Sequence, residues 1–335
     1  MRVFILTSLI LGCFFGAGFV SGKEISAYFS VYGNYSQIAI VISGIILFLL
    51  LYFFLNMSSR LHNFSQFVEF YFGKFGRVVE LLFALCLIIL VGSMIAGSGE
   101  VSVGLGMPRS VLIILTIILS IRVVLGNIKA LGKLNTFIVP IMLGIILIAS
   151  VSLPIFHGRF EHIVTSTISG VEYAFMNIIT LGIFMLEVGG NYTKKQKLLA
   201  SIISCLVITI VLLLVNNAIM YYDLQGTPMP TIIFASMHSN ALGVVAKISI
   251  WLGLFSTLTS LLYMLTNYLC RYISSPIKSV LISLMFGVVV SMFGFSVIVS
   301  YIYEIIGIIG IIVVINTIII DKKNTRMLSC IHAIN

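Results

Sequence analysis

Four glycines fall within the eleven residues Gly12-Cys13-Phe14-Phe15-Gly16-Ala17-Gly18-Phe19-Val20-Ser21-Gly22, inside an otherwise apolar run. Glycine weakens a helix that lipid would otherwise enforce, and a helix break at bilayer depth survives only where the freed backbone groups line a cavity or meet a ligand. A half-helix starting near Phe19 would turn free N–H groups toward an anion such as a carboxylate. The carbonyls ending the preceding half-helix would suit a cation. Gly16 and its neighbours also fit the small-residue contacts by which membrane helices approach closely. A second polar set lies in Leu252-Gly253-Leu254-Phe255-Ser256-Thr257-Leu258-Thr259-Ser260. Ser256, Thr259 and Ser260 stand at i, i+3 and i+4 and so share one helical face. Their oxygens could complete a sodium shell with carbonyls from the first run, or bond back to their own helix. A third set, Asn177, Thr180 and Gly182, precedes Glu187-Val188-Gly189-Gly190.

The residues of catalysis do not form such sets. No HExxH, GxSxG or P-loop occurs, and no His, Cys or Asp cluster has metal-ligand spacing. His62, His157, His162, His238 and His332 fall in loops or at the tail. Cys13, Cys86, Cys205, Cys270 and Cys330 lie in or beside apolar runs without a CxxC, as reduced packing residues do. Neither an enzyme nor an organic cofactor is expected.

The elements that must position these residues follow from composition. Of the 335 residues 60% are apolar and only 9% charged. A soluble fold of this size needs far more polar surface, so a soluble globule, a disordered chain and a disulfide scaffold are excluded. With roughly 20 apolar residues needed to span a bilayer, ten spans are expected at about 3–29, 35–56, 78–97, 110–126, 134–156, 169–188, 198–220, 242–270, 277–294 and 297–320. The last two are nearly fused, with Phe293-Gly294-Phe295-Ser296 as the expected turn. Ile10-Leu11-Gly12-Cys13 resembles a lipoprotein cleavage box, but the apolar character continues past Cys13 and the run is read as part of the first span.

A cytoplasmic N-terminus places Arg2, Arg60, Lys74, Arg77, Arg122, Lys129, Lys133, Lys194, Lys195, Lys197, Arg271, Lys278, Lys322, Lys323 and Arg326 inside, and leaves only Lys23, Arg109, Arg159 and Lys247 outside. This asymmetry sets both termini in the cytoplasm and accounts for the net charge of +9 without a nucleic-acid partner. Between Ser58 and Arg77, Phe64, Phe67, Val68, Tyr71 and Phe72 predict an amphipathic helix lying on the membrane. Thr231–Met237 is either a re-entrant lid or a loop packed on the bundle.

Ten spans divide into two sets of five, residues 1–156 and 165–320, followed by a tail at 321–335. Corresponding helices of the two sets run in opposite directions, the inverted repeat of many secondary transporters. The sixth span then mirrors the first and is expected to be broken as well. Lys23 and Glu304 lie toward the same outer side. They could pair as a gate, Glu304 could carry a proton, or Glu304 could simply reach interfacial water. Glu24, Glu100, Glu172 and Glu187 sit at span ends, where solvation is the expected state.

The broken first helix with a GxG core and the F-x-x-L-T-S run of the eighth span resemble the LeuT fold of the amino acid–polyamine–organocation transporter superfamily. Within it, Gly16-Ala17-Gly18-Phe19-Val20-Ser21-Gly22-Lys23-Glu24 resembles the "GAGFASGQE" opening of YkvI-like bacterial membrane proteins. The resemblance implies an all-α protein of the bacterial cytoplasmic membrane. It implies a sodium held by the carbonyls of Gly12, Phe15 and Ser256 and the hydroxyls of Thr259 and Ser260. It also implies that Gly16, Ala17 and Gly18 offer N–H groups to a substrate carboxylate beside Phe19, with Asn177, Thr180 and Gly182 as the far wall. Phe19 replaces the asparagine that ligates a second sodium in the sodium-coupled family, so one coupling ion is expected. The expected activity is cation-coupled uptake of a small amino acid or related zwitterion by alternating access. The competing expectation is a non-transporting amino-acid receptor like the membrane subunits of spore germinant receptors.

Overall fold

The computed structural model describes residues 2–61, 64–126, 128–150 and 163–334. The end of the expected span 134–156, and His62, His157, Arg159 and His162, lie outside them. The described chain is helical throughout: α1 (Arg2–Phe14), α2 (Ala17–Ser21), α3 (Lys23–Tyr28), α4 (Tyr35–Met57), α5 (Phe64–Phe72), α6 (Gly76–Gly104), α7 (Arg109–Leu125), α8 (Ile128–Ser150), α9 (Ile163–Val188), α10 (Lys194–Tyr221), α11 (Pro230–His238), α12 (Asn240–Leu269), α13 (Pro276–Ser291), α14 (Phe295–Val297) and α15 (Tyr303–Ile334). A π-turn, Ile298–Ile302, joins α14 to α15.

Among the described residues, six stretches are long and apolar enough to cross a membrane: Tyr35–Met57, Phe64–Gly104, Ile163–Asn191, Lys194–Tyr221, Asn240–Leu269 and Phe295–Lys322. Arg2–Phe14, Gly132–Ile148 and Pro276–Ser291 are shorter apolar helices. The protein is a multi-pass membrane protein. Its helices carry large apolar side chains on the outer face as well as in the core. In α4, Ile38, Val41, Ile45 and Leu49 recur on one exposed stripe, while Ser36, Ala39, Ser43 and Gly44 face the bundle. In α13, Leu281, Met285 and Val289 face outward, and Ser279, Ser283 and Gly287 inward. Lipid solvates the large apolar side chains, so close approach of backbones through small residues is what joins the helices. At Gly92 of α6, for example, an added Cβ would stand 2.5 Å from Val290 Cγ1.

α4 packs along α9, α6 along α12 and α13, and α15 along α9, while α1 sits among α8, α10 and α12. The turn between α13 and α14 falls at Gly294, whose φ of 84° favours glycine. α5 buries Phe64, Phe67, Val68 and Tyr71, with Phe64 edge-on to Phe83 of α6 and Phe67 against Phe54 of α4. The helix expected to lie on the membrane thus docks its apolar face on the bundle. α11 buries Thr231, Phe234 and Ala235 and packs on α12.

One expectation is overturned. α9 runs unbroken from Ile163 to Val188, so the sixth span has no break at mid-depth. Gly182 serves close packing instead: a Cβ there would lie 2.9 Å from Phe54 Cγ.

Candidate functional site at the first-span break

The first span is helical to Phe14, loses its helix at Phe15 and Gly16, and resumes at Ala17. Gly16 is extended (φ −75°, ψ −177°); its N–H bonds to Phe14 O at 2.7 Å and its carbonyl accepts from Val20 N at 2.9 Å. A second turn follows at Gly22, with φ 82°, which re-aims the chain into α3. The glycines therefore make two separate bends.

Below the first bend, α1 meets α12. Thr257 Oγ1 donates to Gly12 O at 3.0 Å. The Ser256 hydroxyl stands 3.2 Å from Gly12 O and 2.8 Å from the Asn135 amide of α8. Thr259 Oγ1 and Ser260 Oγ both donate to Ser256 O, at 2.7 and 3.2 Å. Gly12 thus meets Ser256 and Thr257 across some 245 positions in a buried polar seam, and Thr259 and Ser260 reach it only through Ser256 O of their own helix. The seam's neutral oxygens match the hard donor set that sodium takes. In this conformation the two back-bonded hydroxyls are spent on their own helix. Phe15, the remaining expected ligand, is fully buried at the break, its ring 4.6 Å from that of Phe19.

Sequence reading missed Asn135 altogether. It is fully buried, its Nδ2 has no partner among the described residues, and it fills the space beside Gly12. One asparagine in a long apolar helix was the available signal, because burying an amide in a bundle is costly unless it bonds.

Above the bend, aromatic rings enclose the break. Phe14 packs on Phe19 at 5.4 Å and on Tyr173 of α9 at 6.3 Å, and Tyr173 packs on Phe29 at 4.9 Å. Gly16 faces Met94 and Thr257. Gly18 faces the carboxylate of Glu24, which occupies the place a Cβ would take. Glu24, expected to be solvated at a span end, is only 4% exposed; the bend at Gly22 folds it back over the first span. Asn177 Nδ2 donates to Tyr173 O and Thr180 Oγ1 to Asn177 O, so both groups of the expected far wall bond within α9.

Two cavities lie at opposite ends of the bundle. At the Arg2 end a cavity of about 860 Å³ is lined by Arg2, Leu9, Lys133, Glu187, Tyr192 and Tyr263. At the Tyr28 end a cavity of about 210 Å³ is lined by Tyr28, Ser169, Glu172, Ser300 and Glu304. Three hydrogen bonds tie the elements at the Tyr28 end together. Lys23 Nζ donates to Gly226 O at 3.2 Å, Gly226 N to Ser26 Oγ at 3.1 Å, and Ser169 Oγ to Tyr28 O at 2.7 Å. Lys23 is therefore engaged with the α10–α11 loop, and no Lys23–Glu304 pair forms among the described residues. Glu187, also expected at a solvated end, accepts from Asn267 Nδ2 at 3.0 Å, while Glu100 pairs with Arg109 at the surface. No group of three or more His, Cys, Asp or Glu side chains that could hold a metal occurs among the described residues.

No family model matches the chain. It is similar to two Bacillus subtilis (strain 168) proteins across nearly the whole of both chains. It is 24% identical over 321 residues to "Uncharacterized protein YyaD", covering 90% of this chain and 92% of that protein. It is 23% identical over 319 residues to "Uncharacterized membrane protein YkvI", covering 90% and 91%. Among solved structures it is similar to Mhp1, a nucleobase-cation-symport-1 family transporter, in a closed conformation with bromovinylhydantoin bound: TM-score 0.65, 15% identity, 91% of this chain and 74% of that one. The inward-facing conformation of Mhp1 gives a TM-score of 0.61 at 14% identity, with 92% and 72% covered. The chain thus has the LeuT-type fold of Mhp1.

Proposed function

We propose that this chain is a secondary active transporter, not an enzyme, that moves a small amino acid or related zwitterion by alternating access, with sodium as the coupling ion. The observation that carries the reading is the first-span break, joined at Gly12 O to Ser256 and Thr257 and set between two cavities of about 860 and 210 Å³. A site near mid-bundle that communicates with one end at a time is what alternating access requires. With the N-terminus in the cytoplasm of a bacterium, the cavity at the Arg2 end would open inward, and the Lys23–Gly226 contact would help to hold the outer end together. The two five-helix repeats, 1–156 and 165–320, would move against each other about the break, with 321–335 as a cytoplasmic tail.

Sodium would be held by the carbonyls of Gly12, Phe15 and Ser256 after Thr259 and Ser260 release Ser256 O and turn toward the seam. The substrate would lie against Gly16, Ala17, Gly18 and Phe19, with Asn177, Thr180 and Gly182 facing it. The bromovinylhydantoin bound to Mhp1 supports a small organic ligand for this fold.

The test is thermal stability of the purified protein across an amino-acid panel, in sodium and in potassium chloride. A ligand at about 100 times its Kd adds roughly 2.7 kcal/mol to the state that binds it. A shift for one ligand class that requires sodium, followed by its uptake into proteoliposomes, is the expected result. Binding without flux would make the chain a receptor, and no shift in either salt would overturn the zwitterion reading.

A further inference from the structure

Glu24 is a buried ionisable group at the first-span break that the proposed cation and substrate contacts do not use. Its carboxylate is 4% exposed and lies against the backbone of Gly18, where any side chain would overlap it. The Gly22 bend returns the acid to the break from which α2 starts. The hydroxyl of Tyr173 faces it from α9, between the Glu24 carboxyl and the Asn177 amide, and that side chain is fully buried. Tyr28 of α3 and Tyr303 of α15 are the other titratable groups near it. The adjacent Lys23 points its ammonium at Gly226 O, and no cationic side chain pairs with Glu24 among the described residues.

An ionised carboxylate among aromatic rings without a cation is costly, so the site must hold a positive charge. Acids at bilayer depth that lack a structural partner commonly mark proton or substrate paths. The contact with Gly18 crowds one side of the carboxylate, which disfavours a bulky ion, whereas a proton needs no added space. Beyond Tyr28 lies the cavity of about 210 Å³ lined by Glu172 and Glu304, two further carboxyl groups on the way to solvent.

We propose that Glu24 is a proton-binding site at the first-span break, its carboxyl holding the proton beside the Tyr173 hydroxyl and exchanging it with water through the Glu172–Glu304 cavity. One O–H bond breaks at Glu24 and forms on water, giving hydronium, and the carboxylate left behind takes its next proton from water by the reverse step. The inference deepens the transporter reading and rests on it for its role in coupling.

Infrared spectroscopy of the full-length protein in detergent, without ligand and at neutral pH, tests it. The wild type is expected to show the carbonyl band of a buried carboxylic acid, which moves on 13C-glutamate labelling. The band is lost in Glu24→Gln and kept in Glu172→Gln and Glu304→Gln. A wild type without the band, or a Glu24→Gln protein that keeps it, overturns the proposal. Should Glu24→Gln fail to fold, Glu24→Asp serves. Its band must become insensitive to the glutamate label, and a band that still moves with the label overturns the assignment. The readout needs neither substrate nor flux, so a chain that keeps the band but moves nothing loses the transporter reading and keeps the proton site.

Discussion

Replacing Gly12 by alanine tests the packing that joins the first span to the rest of the bundle. An added Cβ would stand 2.5 Å from Asn135 Cγ and 2.9 Å from Ser256 Oγ, distances at which a neighbour must move. The amide nitrogen of Asn135 lies nearer still, and this short side chain is fully buried, so it has little freedom to swing aside. Overpacking of this kind costs about 1–3 kcal/mol, and it falls where Gly12 O accepts from α12. Asn135→Ala alone removes a single amide–hydroxyl contact, about 1 kcal/mol. In the double variant the methyl of residue 12 enters the space the amide left, so the two penalties should not add. A coupling of about 1 kcal/mol or more is expected for groups in direct contact. The assay is a double-mutant cycle of thermal unfolding on purified protein in one detergent. Gly12→Ala as stable as wild type, or penalties that simply sum, would refute the account of this seam.

Three other predictions follow from single contacts. With Thr259 and Ser260 both replaced by alanine, ligand-induced stabilisation should no longer differ between sodium and potassium; an unchanged sodium effect removes them from the cation site. Lys197 is fully buried, and its ammonium donates to Ser58 Oγ at 2.9 Å and Ser59 Oγ at 2.7 Å at the end of α4. Deleting both hydroxyls strands a charge, whereas Lys197→Met deletes charge and bonds together. The Ser58→Ala/Ser59→Ala protein should therefore be less stable by about 1.5–3 kcal/mol, and Lys197→Met close to wild type, as thermal melts would show. Lys23→Met removes the tie to Gly226 and should raise the rate at which a thiol reagent reaches a cysteine in Ser300→Cys, at the Tyr28 end. An unchanged labelling rate would mean that this contact does not hold that end closed.

What the sequence determined is what depends on composition and local spacing. Nine per cent charge against 60% apolar residues requires lipid as the solvent, whatever the fold. The glycines at 12, 16, 18 and 22 mark where a helix is weakest, and the chain bends at Gly16 and Gly22. The 256–260 stripe follows from 3.6 residues per turn. The tertiary structure decided which of these groups meet. That Gly12 O receives Ser256 and Thr257, that Asn135 fills the space beside it, and that Gly182 serves packing on Phe54 depend on contacts made across some 120 to 245 positions. Local pattern carries no information about these distances. Glu24 shows the limit most sharply. Its place next to Lys23 at a span end reads as solvent, and only the left-handed turn at Gly22 carries its carboxylate back against Gly18, where it is buried and only glycine fits.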